Sequence, residues 1–156
     1  MKRKLCMLTL ALLVVSATAV IAQAQALHMG TWKLNEAKSR FPKGATKNST
    51  VVYEKTGDQI KITVDGTDGS GAAIHNEWTG KFDGKPYALT GDATADMRSY
   101  RVVNKRTLSL RNTQGGKLVT SATIVVSANG KTRTVTSSGK DAQGKTLTSR
   151  AFYDKQ

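Results

Sequence analysis

Cysteine is nearly absent from this sequence, and the single one, Cys6, lies close to the N-terminus. This excludes disulfide bonds, thiolate metal sites and a cysteine nucleophile from the rest of the chain. Whatever fold follows Cys6 must therefore be stabilised by packing and hydrogen bonding alone.

Histidine is also scarce, since only His28 and His75 are present. His75 and Glu77 share one face of a predicted strand, and they could form an acid–base pair, half of a metal site, or an exposed pair on an outer wall. The exposed pair is favoured, because no second histidine or cysteine lies nearby in sequence. No serine stands in a G-x-S-x-G motif. We expect no catalytic residue, no metal and no cofactor, and predict that the protein is not an enzyme.

Acidic residues are few, with 11 Asp and Glu against 24 Lys and Arg, which gives a formal net charge of +13. Such a field attracts phosphates, carboxylates, acidic polysaccharide or anionic lipid head groups. The alternative is an ordinary solvated surface, because the basic residues are spread along the chain. Nucleic acid is not an expected partner, since the basic residues form no stripe interleaved with stacking aromatics.

The chain lacks an apolar run of the ~20 residues needed to span a bilayer. Instead a basic start at residues 2–4 precedes an apolar stretch at 8–21 and two Ala-x-Ala patterns at 22–26. This is the layout of a secretory signal peptide; an uncleaved anchor is the alternative. We predict that residues 1–26 are a signal removed on export to the periplasm or beyond, leaving no transmembrane segment. His28 would then fray near the new N-terminus.

Residues 27–156 carry many short segments rich in Val, Ile, Thr and Tyr, separated by turn signals such as Asp65-Gly66 and Asn129-Gly130. This spacing predicts consecutive antiparallel strands. The predicted strands are 28–34, 49–56, 59–65, 72–79, 86–90, 97–103, 106–112, 117–127, 132–138 and 146–154. The pattern fails between Lys33 and Lys47, where residues 35–39 could form one helical turn with Asn35 as its cap.

An all-β, antiparallel, up-and-down barrel of 8–10 short strands is the favoured architecture, because closure removes the unpaired strand edges of an open sheet. A two-sheet sandwich is the second choice. Period-two alternation indicates which faces are buried. Two such inward sets are Ile60, Ile62 and Val64 in one strand, and Leu118, Ala122, Ile124 and Val126 in another.

The segment Gly30-Thr31-Trp32-Lys33-Leu34 opens this region, and Phe152-Tyr153-Asp154-Lys155 closes it. In these motifs the sequence resembles the calycin superfamily, the lipocalins and fatty-acid-binding proteins, and in particular small exported lipocalin-like proteins of bacteria. The resemblance implies a lipocalin-like barrel at 27–156 with Trp32 plugging its closed end. It also implies a basic side chain across that indole, for which Arg150 is the first choice and Lys155 the second. Ala151 stands where fatty-acid binders carry the arginine of a carboxylate clamp.

A ligand pocket is indicated by Arg106, which would point inward if Leu108 and Leu110 do. A buried guanidinium needs a carboxylate or an anionic ligand beside it. Trp78 and Tyr100 are the candidate pocket walls, and the alternative places Arg106 in water at the strand mouth. The predicted function is an exported binding protein with a small apolar or amphipathic, possibly anionic, ligand in its barrel. The second hypothesis is a basic interaction protein without an internal ligand, which docks on anionic envelope polymer, lipid or a protein partner.

Overall fold

The computed structural model describes residues 17–140 and 143–156. Residues 17–28 form a helix, α1. Ten strands follow it: β1 Gly30–Leu34, β2 Lys47–Thr56, β3 Gln59–Thr67, β4 Ala73–Gly80, β5 Tyr87–Thr90, β6 Met97–Asn104, β7 Thr107–Gln114, β8 Lys117–Val126, β9 Thr132–Lys140 and β10 Thr146–Lys155. The ten predicted strands are confirmed, with ends that differ by three residues or fewer.

The ten strands form a closed barrel in which each pairs with its sequence neighbours and β1 pairs with β10. Every pairing is antiparallel, and closure is made by Trp32 opposite Lys155 and by Leu34 opposite Tyr153. The predicted up-and-down barrel is therefore confirmed. Since consecutive hairpins alternate between the two barrel ends, one end gathers the turns at 57–58, 105–106 and 127–131, and the other gathers the loops at 41–46, 68–72 and 91–96.

The predicted helical turn after β1 is present as a 3-10 turn over Glu36–Lys38. Asn35 caps it, since its side chain accepts a hydrogen bond from the Lys38 amide at 3.2 Å. The other arm of the Asn35 amide donates to Asp154 on β10 at 2.8 Å. The turn is thus fixed to the last strand and leads the chain into the 41–46 loop.

The expectation that Leu118 shares the inward face of β8 is wrong. The ladder between β7 and β8 shifts register between Asn112 and Thr113, so that Asn112 faces Thr120 and Thr113 faces Leu118. An extra residue in one strand reverses the alternation beyond it. Leu118 is accordingly 49% exposed, whereas Ala122, Ile124 and Val126 are buried as predicted.

The interior divides into two halves along the barrel axis. The half towards α1, here called the sealed end, is filled by aromatic and large aliphatic side chains. The half towards the 41–46 loop, here called the mouth, carries smaller and more polar side chains. Among residues 17–140 and 143–156, no helix is both long and apolar enough to cross a membrane. The first 16 residues of the predicted signal lie outside the described residues.

Candidate functional site

The sealed end contains both aromatic residues that were predicted as pocket walls. The Trp78 and Tyr100 rings meet edge to face with centroids 4.8 Å apart, and Phe82 packs 5.5 Å from Tyr100. The indole N–H of Trp78 donates to the backbone carbonyl of Arg98 at 2.8 Å. Burial raises the pKa of Tyr100. Trp78 and Tyr100 are thus packed into the core and do not line an open pocket, which corrects the prediction.

Arg106 does not point into the barrel. It lies in the turn between β6 and β7, where its side chain is exposed and its amide donates to the side chain of Asn104 at 3.0 Å. The alternation that linked Arg106 to Leu108 ends at Thr107, the first residue of β7. The structure therefore places this candidate in water at the strand end.

Trp32 is fully buried at the sealed end, as the resemblance implied, but the guanidinium over its ring belongs to Arg133. Arg133 is 2% exposed and lies 4.7–5.0 Å from the ring centroids of Trp32, Tyr53 and Tyr153. Burial raises the pKa of Tyr153 to about 12. Three aromatic faces thus replace water around one guanidinium, an arrangement worth roughly 2 kcal/mol or more per desolvated contact.

Arg150 is an exposed residue of β10 and does not contact Trp32, which corrects the structural prediction. Its backbone bridges that of Arg40 through two hydrogen bonds of 2.8 and 2.9 Å. Along β10, Ala151 and Tyr153 are buried while Arg150 and Phe152 alternate outward. The second choice, Lys155, does lie against the indole, with its ammonium 5.1 Å from the ring centroid.

His28, the last residue of α1, is fully buried against the rings of Tyr53 and Phe82. Neither of its ring nitrogens has a hydrogen-bond partner. Burial, and next the charge of Arg133, lower the pKa of His28 to about 3. The Arg106 carbonyl opposes this shift, although its geometry falls short of a hydrogen bond to the ring. In the described structure His28 is therefore an uncharged core residue and not a frayed one.

The mouth half of the barrel holds a lumen of about 180 Å³. Amide and hydroxyl groups from six strands face it, so that most of its wall can exchange hydrogen bonds with a guest. The lining side chains that matter most here are Asn48, Asn76, Arg98, Asn112, Thr120, Ser137, Ala151 and Tyr153.

Arg98 is the cationic group that lines this lumen, and it is only 6% exposed. Its Nε donates to Asn112 at 2.8 Å, and its Nη1 donates to Asn76 at 3.2 Å. The carboxylate of Asp92 stands 3.8 Å from Nη2, beyond hydrogen-bond distance. Two neutral amides thus fix the guanidinium in place but leave its positive charge only partly compensated.

The mouth is partly covered by the 41–46 loop. Phe41 and Thr46 from this loop line the lumen together with Asp92 and Thr94 of the opposite loop. Lys47 anchors the loop, since its ammonium contacts Glu36 at 2.9 Å and lies over the Phe41 ring. Residues of both loops therefore border the lumen at the mouth.

The pair His75 and Glu77 lies on the outer wall, as the exposed-pair interpretation held. His75 contacts Asp65 at 2.7 Å, and Glu77 contacts Lys61 at 2.7 Å. Hydrogen bonding to Lys61 lowers the pKa of Glu77. Within the described residues, no group of three or more His, Cys, Asp or Glu is placed to hold a metal ion.

A scan against protein-family models and a search of curated proteins find no match. Among solved structures, EF1p2_mFAP2b bound to DFHBI is similar at a TM-score of 0.51 and 12% identity, covering 87% of this chain and 99% of that one. A redesigned β-barrel, mFAP1, bound to DFHBI, is similar at a TM-score of 0.45 and 17% identity, covering 83% of this chain and 97% of that one. The first likeness supports the ten-stranded barrel fold, which also fits the calycin pattern.

Proposed function

We propose that this protein is an exported, non-enzymatic binding protein of the lipocalin-like group, and that it holds one compact guest in its lumen. The guest pairs an anionic or strongly hydrogen-bond-accepting group with a small apolar body. The observation that carries this proposal is Arg98, a buried guanidinium that faces an open polar lumen without a carboxylate at hydrogen-bond distance. A charge so placed, with Asp92 as its ion-pair partner at 3.8 Å, favours a further anionic group, because incomplete compensation of a buried charge is costly.

The size of the lumen limits the guest. An engineered apolar cavity of about 150 Å³ in another protein holds benzene, whereas drug-sized ligands occupy about 300–1,000 Å³. A lumen of about 180 Å³ therefore suits a molecule of roughly one ring. A long fatty acid would exceed it, in keeping with Ala151 at the position of the missing clamp arginine. EF1p2_mFAP2b, which is similar to this barrel, is bound to DFHBI, and this supports a small guest for the architecture.

The test uses benzoate as the probe, with benzyl alcohol and decanoate as comparisons, and measures binding by calorimetry. We expect benzoate to bind at least about tenfold more tightly than benzyl alcohol, because only the carboxylate can form charge-assisted hydrogen bonds with Arg98. Decanoate should bind no better than benzoate. Native mass spectrometry of protein purified from its own host would show whether a guest of this size accompanies it.

Two variants separate the charge of Arg98 from the volume of the lumen. Arg98→Met should remove the preference for benzoate, and Ser137→Leu should block every guest by filling the lumen while leaving Arg98 in place. Thr134→Leu, a change on the outer face of the same strand, is the matched control and should bind like the parent chain. Equal binding of benzoate by the parent and by Ser137→Leu would reject the lumen as the site.

A further inference from the structure

The charges of this barrel are segregated between its two flanks. Strands β6–β9 contain no acidic residue, and the one acidic residue of β10, Asp154, accepts a hydrogen bond from Asn35. On the opposite flank, carboxylates on β3 and β4 are engaged by neighbouring side chains, as in Asp65 with His75 and Glu77 with Lys61. The flank formed by β6–β10 is therefore basic without internal compensation.

This basic flank carries a groove with a volume of about 680 Å³, here called the outer groove. Its floor is made of short hydroxyl side chains that align in rows across neighbouring strands, as shown by Ser121 opposite both Arg111 and Ser138. The wall of a twisted barrel curves inward at mid-height, and short side chains there make the surface more concave. The outward residues of the groove are Ser99, Arg101, Ser109, Arg111, Ser121, Thr123, Thr136, Ser138 and Thr148.

One arginine pair, Arg101 and Arg111, lines the outer groove. A second pair, Arg40 and Arg150, lies in an adjoining hollow with Lys38 and Phe152, where Arg150 pairs with Thr136 of the groove. Arg101 lies opposite Ser109, two residues from Arg111, so the two arginines are diagonal neighbours with Cα atoms roughly 7–8 Å apart. On the far side Arg150 is bridged to Arg40 by backbone hydrogen bonds. Since β7 and β10 are three strands apart, the two pairs are separated by roughly 14 Å.

None of these four arginines forms an ion pair within residues 17–140 and 143–156. Asp83 lies beside Arg101 through a backbone bridge, but its carboxylate oxygens accept from the Tyr87 hydroxyl and the Lys85 amide, both at 2.9 Å. Like charges on neighbouring strands are destabilising unless a counterion relieves them. Each pair is therefore a ready site for an anionic group.

We propose that the outer groove binds an extended acidic polysaccharide whose sugars bear carboxylates. Each arginine pair would hold a carboxylate in a bidentate hydrogen-bonded contact, and the serines and threonines of the floor would exchange hydrogen bonds with sugar hydroxyls. The outward side chains of the floor include no aromatic ring for stacking on bases and no large aliphatic group for insertion among acyl chains. A carboxylated sugar chain fits this combination better than nucleic acid or a lipid surface does.

The test measures affinity electrophoresis of the full chain in gels containing polygalacturonate, with neutral dextran as the comparison. Arg101→Ser with Arg111→Ser should weaken binding to polygalacturonate at least about tenfold at 0.15 M salt. Lys43→Ser with Lys55→Ser removes the same charge from exposed positions outside the groove and should change binding less than about twofold. Equal loss in the two double variants would mean that only net charge matters, and would overturn the proposal.

A second variant tests the groove without changing charge. Ser121→Tyr fills the centre of the floor on the outward face of β8 and should also weaken binding at least about tenfold. Undiminished binding by this variant, or binding to phosphatidylglycerol vesicles or single-stranded DNA in preference to polygalacturonate, would reject the groove as a polysaccharide site. Arg98→Met should retain polygalacturonate binding, so failure of the lumen proposal and failure of this one are distinguishable.

Discussion

At the scale of single residues, the buried His28 of the sealed end makes the folded state sensitive to acid. The folded state holds the pKa of His28 at about 3, and the ordinary value is 6.5. The unfolded chain therefore binds more protons than the folded one between these two pH values. Above pH 6.5 His28 is neutral in both the folded and the unfolded chain and does not affect the free energy of unfolding. Below pH 6.5 that free energy falls progressively as the pH drops towards 3.

His28→Phe should remove this acid sensitivity. We expect the parent chain to lose about 2 kcal/mol more unfolding free energy between pH 7 and pH 5 than the variant does. At pH 7 the variant should be as stable or about 1 kcal/mol more stable, because Phe removes two unpartnered ring nitrogens from a site lined by Tyr53 and Phe82. Urea unfolding at both pH values measures this, and identical pH slopes would contradict it.

Arg98, the arginine of the lumen, shows which inward residues period-two alternation can predict and which it cannot. The sequence Met97-Arg98-Ser99-Tyr100 puts Arg98 on the same face as Tyr100, a residue that the sequence did place inside, so Arg98 could have been found from alternation alone. The same alternation favours Arg106, which precedes Leu108 and Leu110, but Arg106 lies in the turn before β7 begins. Arg133 could not have been distinguished from Arg150, since both alternate with small or apolar neighbours and only the barrel register brings Arg133 to Trp32.

At the scale of structural elements, the loops at the mouth depend on glycines that touch backbone. A Cβ on Gly69, in the turn between β3 and β4, would come 2.1 Å from the carbonyl oxygen of Gly44. Backbone on both sides leaves no side chain that could move aside. The turn at 68–72 therefore holds the 41–46 loop in place over the lumen.

Gly69→Ala should destabilise the fold by about 3 kcal/mol and loosen the 41–46 loop. Gly71→Ala in the same turn is the control: its φ of +90° strains an alanine by roughly 1–2 kcal/mol, but the space around it is open. Urea unfolding compares the two variants, and hydrogen exchange monitors the Ala45 amide, which donates to the Pro42 carbonyl at 3.1 Å. Faster exchange of this amide in both variants alike would contradict the role of Gly69.

Strand order and turn positions could be predicted because turn chemistry and alternation are local properties of the sequence. The register shift in β8 could not be predicted, since nothing around Val119 distinguishes a bulged strand from a regular one. Alternation alone therefore puts Leu118 on the wrong face of the strand. The division of the interior into an aromatic half and a polar half also emerges only once the ten strands are aligned.

At the scale of the whole molecule, closure brings the two ends of the barrel chain together. The Lys155 ammonium donates to the Leu27 carbonyl at 3.3 Å, and the Gln156 amide donates to Thr31 at 3.0 Å. The turn at Gly115 and Gly116 lies far from this junction, with open space around both glycines. New termini at this turn would break no strand pairing.

A circular permutant that joins Gln156 to Leu27 through a short flexible linker and opens between Gly115 and Gly116 should keep the barrel. Because the entropic cost of closing a loop changes slowly with loop length, we expect this permutant to lose no more than about 2 kcal/mol of unfolding free energy. A permutant opened between Ile62 and Thr63, within β3, should fail to fold cooperatively. Near-UV circular dichroism and urea unfolding check this, and equal stability of the two permutants would contradict it.

The outer groove crosses the strands on the flank of the barrel, whereas the lumen opens at one end. A molecule held by this flank would lie on its side, with its strands crossing the fibre that it binds. Its mouth would then be clear of the fibre and stay free to exchange its guest. Tethering and carrying could proceed at the same moment, each without obstructing the other.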